Sequence, residues 1–98
     1  SGVQLPEIKL WNGDLRNINL SHANLNSSTL IEVFLQDANL AGVNLEQSDL
    51  RGSSFRNANL KRANLRGAIL SGGDSFLCLT NLENADFESA DLSNANLT

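Results

Sequence analysis

Large apolar residues occupy every fifth position over most of the chain: Leu5, Leu10, Leu15, Leu20, Leu25, Leu30, Leu35, Leu40, Leu45, Leu50, Phe55, Leu60, Leu65 and Leu70. The rhythm breaks once and resumes two residues out of step, at Leu77, Leu82, Phe87, Leu92 and Leu97. Small residues, among them Ala23, Ser28, Ala38, Ser48, Ser53, Ala58, Ala63 and Ala68, stand two places before the large ones. The position between is usually Asn or Asp, as at Asn24, Asn44, Asp49, Asn64 and Asp91, and the other two positions are polar, charged or Gly.

A period of five matches neither the 3.6 of a helix nor the 2 of a strand. Each unit instead predicts a three-residue strand whose small and large side chains point inward, followed by a two-residue turn. Gly or Asn recurs at the second turn position, as at Asn12, Gly42, Gly52, Asn57 and Gly67, where a tight turn requires positive φ. One such unit cannot bury its own apolar face, so the units must coil and stack. If four sides close a coil, equivalent residues lie twenty apart in sequence and roughly 4.8 Å apart in space. Periodicity alone leaves the number of sides open.

The units Ala23-Asn24-Leu25-Asn26-Ser27, Ala58-Asn59-Leu60-Lys61-Arg62, Ala63-Asn64-Leu65-Arg66-Gly67 and Ala90-Asp91-Leu92-Ser93-Asn94 resemble the A(D/N)LXX consensus of pentapeptide-repeat proteins, nearly end to end. The resemblance implies an all-β fold, a right-handed quadrilateral β-helix with four five-residue sides per coil and a little under five coils. In that register Leu20, Leu40, Leu60 and Leu82 stack in one core column, and Leu25, Leu45, Leu65 and Phe87 in another.

At 98 residues and 41% apolar, the chain is read as a single domain over 1–98. Within it, 1–2 looks like a cloning remnant, 3–70 is uninterrupted repeat, 71–76 carries a two-residue bulge and 77–98 resumes the repeat. Gly72, Gly73, Asp74 and Phe76 form the bulge, read either as a neutral surface insertion or as a raised contact point. Repeats running to the last residue suggest a domain excised from a longer chain. The segment Val3 to Trp11 is read as a cap, and an uncapped last coil as a candidate for end-to-end self-association.

A net charge of -4 argues against nucleic-acid binding. Arg51, Arg56, Lys61 and Arg66 occupy equivalent positions on successive sides, a belt around one coil rather than a track for a duplex. Stacking at four sides gives an outward ladder of Pro6, Asn26, Glu46, Arg66 and Glu88, with Lys61 beside Glu83, so opposite charges meet between coils.

The residues exclude the common catalytic sites. His22 is the one histidine and Cys78 the one cysteine, both placed outward, and no phosphate loop, GxSxG or HExxH occurs. No cofactor or metal is expected. The sequence also lacks a signal peptide and an apolar run of membrane-spanning length. Outward apolar residues are the more informative feature. Trp11 and Ile31 lie twenty apart and should stack on one side, with Phe34 round the next corner, forming a candidate partner patch. A smaller irregularity gathers Ile69, Phe76 and Leu79, with Phe76 expected one coil beyond Ser54. These features point to a non-enzymatic protein-interaction or scaffold module. The resemblance adds an alternative, since some family members resemble a DNA duplex in shape and charge and bind DNA gyrase. A third reading is a passive spacer in a larger membrane or signalling protein. The family is abundant in cyanobacteria.

Overall fold

The computed structural model describes residues 2–70 and 80–96. Two three-residue strands, β1 (Lys9–Trp11) and β2 (Thr29–Ile31), pair in parallel, with Lys9 opposite Thr29 and Trp11 opposite Ile31. Elsewhere each side contributes a single parallel bridge at its middle residue. Four ladders result. They run Gln4–Asn24–Asn44–Asn64–Asp91, Lys9–Thr29–Asp49–Ile69–Asn96, Asp14–Phe34–Ser54–Asn81 and Asn19–Asn39–Asn59–Asp86. Up to residue 70 each step is twenty residues, so four five-residue sides close one coil.

The backbone alternates its partners along each side. Asn24 N–H donates back to Val3 O at 2.7 Å, while Leu25 N–H donates forward to Asn44 O at 2.7 Å and Ser27 N–H to Glu46 O at 2.8 Å. The corner is a four-residue turn closed by bonds such as Ala23 N–H to Leu20 O at 3.0 Å. Its third residue lies in the left-handed region, as in a type II turn. This holds for Gly42, Gly52 and Gly67, and equally for Glu7, His22, Glu32, Gln47 and Arg62, whose φ values are 58–63°. The middle Asn or Asp has a specific task there: Asn24 Oδ1 accepts from Asn26 N–H at 3.1 Å, Asn44 Oδ1 from Glu46 N–H at 3.0 Å and Asp91 Oδ1 from Ser93 N–H at 2.9 Å. The side chain thus holds the first turn residue while its backbone remains in the ladder.

Inward residues fill the axis. Leu25, Leu30, Leu35, Leu40, Leu45, Leu50, Phe55, Leu60 and Leu65 are buried, with Ala23, Val33, Ala38, Val43, Ala58, Ala63 and Ala68 beside them. Burying each large side chain contributes roughly 1.5–3 kcal/mol against chain entropy.

The register across the interruption differs from expectation. Leu65 N–H donates to Asp91 O and Leu60 N–H to Asp86 O, both at 2.8 Å, so the step here is 27 residues. Relative to a twenty-residue coil, seven residues are added rather than two. The core column of Leu20, Leu40 and Leu60 therefore continues to Phe87 instead of Leu82, and that of Leu25, Leu45 and Leu65 to Leu92 instead of Phe87. Ser54 pairs with Asn81, not with Phe76. The physical reason lies in the skipped unit. A side built on Ser75-Phe76-Leu77-Cys78-Leu79 would put Leu79 in the left-handed corner and Phe76 where the turn-holding Asn or Asp stands. Thr80-Asn81-Leu82 meets the requirements: Asn81 Oδ1 accepts from Glu83 N–H at 2.9 Å, and Thr80 Oγ1 donates to Leu50 O at 2.9 Å. The proposed bulge residues Gly72, Gly73, Asp74 and Phe76, together with Leu77, Cys78 and Leu79, lie outside the described residues.

The segment expected to cap the N-terminal end is itself the first coil. Leu5 N–H donates to Asn24 O at 2.8 Å and Glu7 N–H to Asn26 O at 2.9 Å. Among the described residues nothing lies over it, and Val3 and Leu5 are 49% and 38% exposed.

Candidate interaction surface

The parallel register of β1 and β2 puts Trp11 directly opposite Ile31 on the outer surface of one side. Trp11 is 56% exposed and Ile31 half-buried. Phe34 begins the next side, bridged to Asp14 and Ser54, and is 48% exposed. Middle and first-turn positions face outward, which is why an apolar residue placed there stays in solvent. Ile69, 37% exposed, follows the same rule on the ladder through Asp49 and Asn96.

The basic belt meets an acidic one. Arg56 pairs with Glu83 at 2.9 Å, Lys61 with Asp86 at 3.6 Å and Arg66 with Asp91 at 3.9 Å, each across the coil junction that follows the interruption. The expected pairings of Lys61 with Glu83 and of Arg66 with Glu88 are replaced because the 27-residue step rotates the acids by one side. Two further pairs join residues of the same side: Arg16 with Asp14 at 2.8 Å and Arg51 with Asp49 at 2.6 Å. The Arg16 side chain, donating to Asp14, lowers that carboxyl from its ordinary 3.8 to about 2. Asp91 is lowered chiefly by the Ser93 hydroxyl and backbone N–H, with Arg66 adding a smaller share.

Two buried serines make bonds that their small size did not suggest. Ser48 Oγ donates to Leu25 O at 3.0 Å and accepts from Ser28 N–H at 3.1 Å. Ser53 Oγ donates to Leu30 O and accepts from Val33 N–H at 3.0 Å. Each hydroxyl therefore bridges a corner of the preceding coil, whereas the buried Ser28 Oγ has no hydrogen-bond partner. His22 stands exposed at a left-handed corner, with its ring over Gly42; a Cβ on that glycine would lie 2.6 Å from His22 Nδ1. Among the described residues no group of His, Cys, Asp and Glu could hold a metal ion, and no helix is long and apolar enough to cross a membrane.

The bore has two regimes. From Leu5 to Leu45 it contains a void of about 100 Å³ lined only by leucine and isoleucine. Around Phe55, Leu60, Leu65 and Phe87 no space for a water remains.

A stack of four-sided coils with an Asn- or Asp-held corner on every five-residue side defines a class of repeat solenoid. The family model for pentapeptide repeats matches residues 4–36, 35–72 and 73–98, and the chain belongs to the pentapeptide-repeat family, whose members form right-handed quadrilateral β-helices. Among solved structures, the chain is similar to the pentapeptide repeat protein Rfr23 from the cyanobacterium Cyanothece 51142, with 31% identity, 97% of this chain and 64% of that one covered, and a TM-score of 0.50. It is also similar to QnrB1, a plasmid-mediated fluoroquinolone resistance protein. The trypsin-treated form gives a TM-score of 0.63 at 17% identity, covering 95% of this chain and 52% of that one. The full-length form gives 0.60 at 14% identity, covering 98% and 68%. The QnrB1 likeness is one of fold alone. This chain spans less than two thirds of the length of Rfr23 and of trypsin-treated QnrB1. No curated protein matches it.

Proposed function

We propose that the chain is a non-enzymatic module that binds another protein through the face formed by Trp11, Ile31 and Phe34. The observation that carries this reading is Trp11, more than half exposed and stacked on an apolar neighbour at positions that are polar on most other sides. An indole held on a rigid ladder loses little conformational freedom when a partner covers it, and tryptophan is the residue type most enriched where binding energy concentrates. The partner's complementary feature is an apolar pocket wide enough for that ring. The test is affinity capture from lysate of the organism that supplies the gene, with the parent chain beside a Trp11→Ser, Ile31→Ser, Phe34→Ser variant that melts normally. A protein held by the parent and released by the variant supports the reading. Equal retention by both moves the site elsewhere, and no retention by either favours a passive spacer.

The duplex-mimic alternative draws on the QnrB1 fold, but the charges count against it. Glu83, Asp86 and Asp91 are engaged by Arg56, Lys61 and Arg66, which removes the unbroken acidic surface that a phosphate-like lattice needs. Protection or inhibition of gyrase supercoiling at micromolar protein would reinstate it. End-to-end self-association draws support from Leu82, Phe87 and Leu92, inward residues that remain half-buried in the last described coil. Sedimentation at rising protein concentration tests that contact.

A further inference from the structure

We infer that the N-terminal bore is a binding site for a short unbranched alkyl group, entering end-on through the mouth ringed by Leu5, Leu10, Leu15 and Leu20. The void of about 100 Å³ reaches from the first coil to Leu45 in the third. Two coil steps correspond to roughly 10 Å along the axis, so the space is a narrow channel rather than a round chamber. Its lining is leucine and isoleucine throughout, offering no polar partner to water. A channel of this kind stays dry or takes an apolar guest, because a water needs at least two hydrogen-bonding groups.

Access and closure are both visible. Leu5 is 38% exposed, and Leu10, Leu15 and Leu20 are half-buried, so the channel opens at the solenoid's end. Its inner limit is set by Phe55, which follows Leu15 and Leu35 in one column and leaves no water-sized space around it. The four-sided wall is fixed by the backbone ladder and cannot collapse inward around a void as a loosely packed core can. Filling it recovers contacts that the leucines lack.

The probes are n-pentane and 1-hexanol, which present the same alkyl chemistry free or tethered to a polar head, with benzene as a control of similar hydrophobicity but greater width. Near saturation, pentane should raise the melting temperature by about 4 °C and shift the methyl resonances of Leu15, Leu35 and Leu40. A stronger effect of hexanol would identify an amphiphile's tail as the natural guest, and an equal effect a free apolar molecule. Leu35→Phe and Leu40→Phe fill the channel in columns that already hold Phe55 and Phe87. With cooperative melting retained, both variants should lose the shift. No response of the parent chain, a response that persists in both filled variants, or benzene acting as strongly as pentane would overturn the inference.

Discussion

The first two coils and the last described coil build the same cross-section by different means. Near the N-terminus the sides follow one another without interruption, the core is all leucine and isoleucine, a void runs down the axis, and the Asp14–Arg16 ion pair stays within one side. Beyond residue 70 the chain arrives through seven extra residues, phenylalanine fills the bore, and three ion pairs cross to the preceding coil. Where the covalent path is continuous, each side is delivered to its place by the one before it, and loose packing is tolerated. Where the path is interrupted, register must be chosen from competing alignments. Aromatic volume and opposite charges then supply the discrimination.

Core truncation should expose the packing contrast most strongly. Leu20 and Leu60 share a column, yet only Leu60 is fully buried. Leu60→Ala should cost about 3–5 kcal/mol in urea unfolding, and Leu20→Ala about 1–2 kcal/mol. Equal costs would mean that the two halves are packed alike. The buried serines sharpen the same comparison. Ser53→Ala strands the Val33 N–H and Leu30 carbonyl and should cost about 1–3 kcal/mol, while Ser28→Ala removes an unpartnered hydroxyl and should be neutral or stabilising.

The charge contribution is smaller because its members are about half exposed. A double-mutant cycle on Arg56 and Glu83, with alanine at each, should give a coupling of at most about 1 kcal/mol, fading in 1 M salt. The smallest effect concerns Asp14. Its carboxyl is depressed in the folded chain, so the stability it adds is present above its ordinary 3.8 and is lost as pH falls toward about 2. An acid titration of melting temperature should show a shallow drop in that window, reduced in Asp14→Asn.

Much of this molecule was legible as sequence. Leucine at every fifth position, with Asn or Asp ahead of it, specified the side, the corner and the inward face, and the ladders through Asn24, Asn44 and Asn64 follow directly. The step across the interruption was not legible from spacing. Two extra residues and seven are indistinguishable to a period of five, so Leu77 seemed to resume a stack that the structure resumes at Leu82. The signal that separates them was present at Leu79, since a branched apolar residue suits none of the left-handed corners seen here. Ser48 and Ser53 were read as small residues because hydrogen bonds to the preceding coil cannot be inferred before the corners are placed. The void required side-chain volumes in three dimensions, and periodicity carries no information about it. Trp11 and Ile31 could be paired from their spacing alone because no interruption lies between them.

The register after the interruption decides which charges meet, which leucines stack and where the acidic side chains point. Oxidative cross-linking reads it directly. In a Cys78→Ser background, cysteines at Asn59 and Asp86 occupy adjacent rungs of one ladder, whose roughly 4.8 Å spacing falls within disulfide reach. Cysteines at Asn59 and Asn81 test the alternative two-residue step. The account predicts rapid intramolecular cross-linking of the first pair and none of the second; cross-linking of the second pair alone would contradict it.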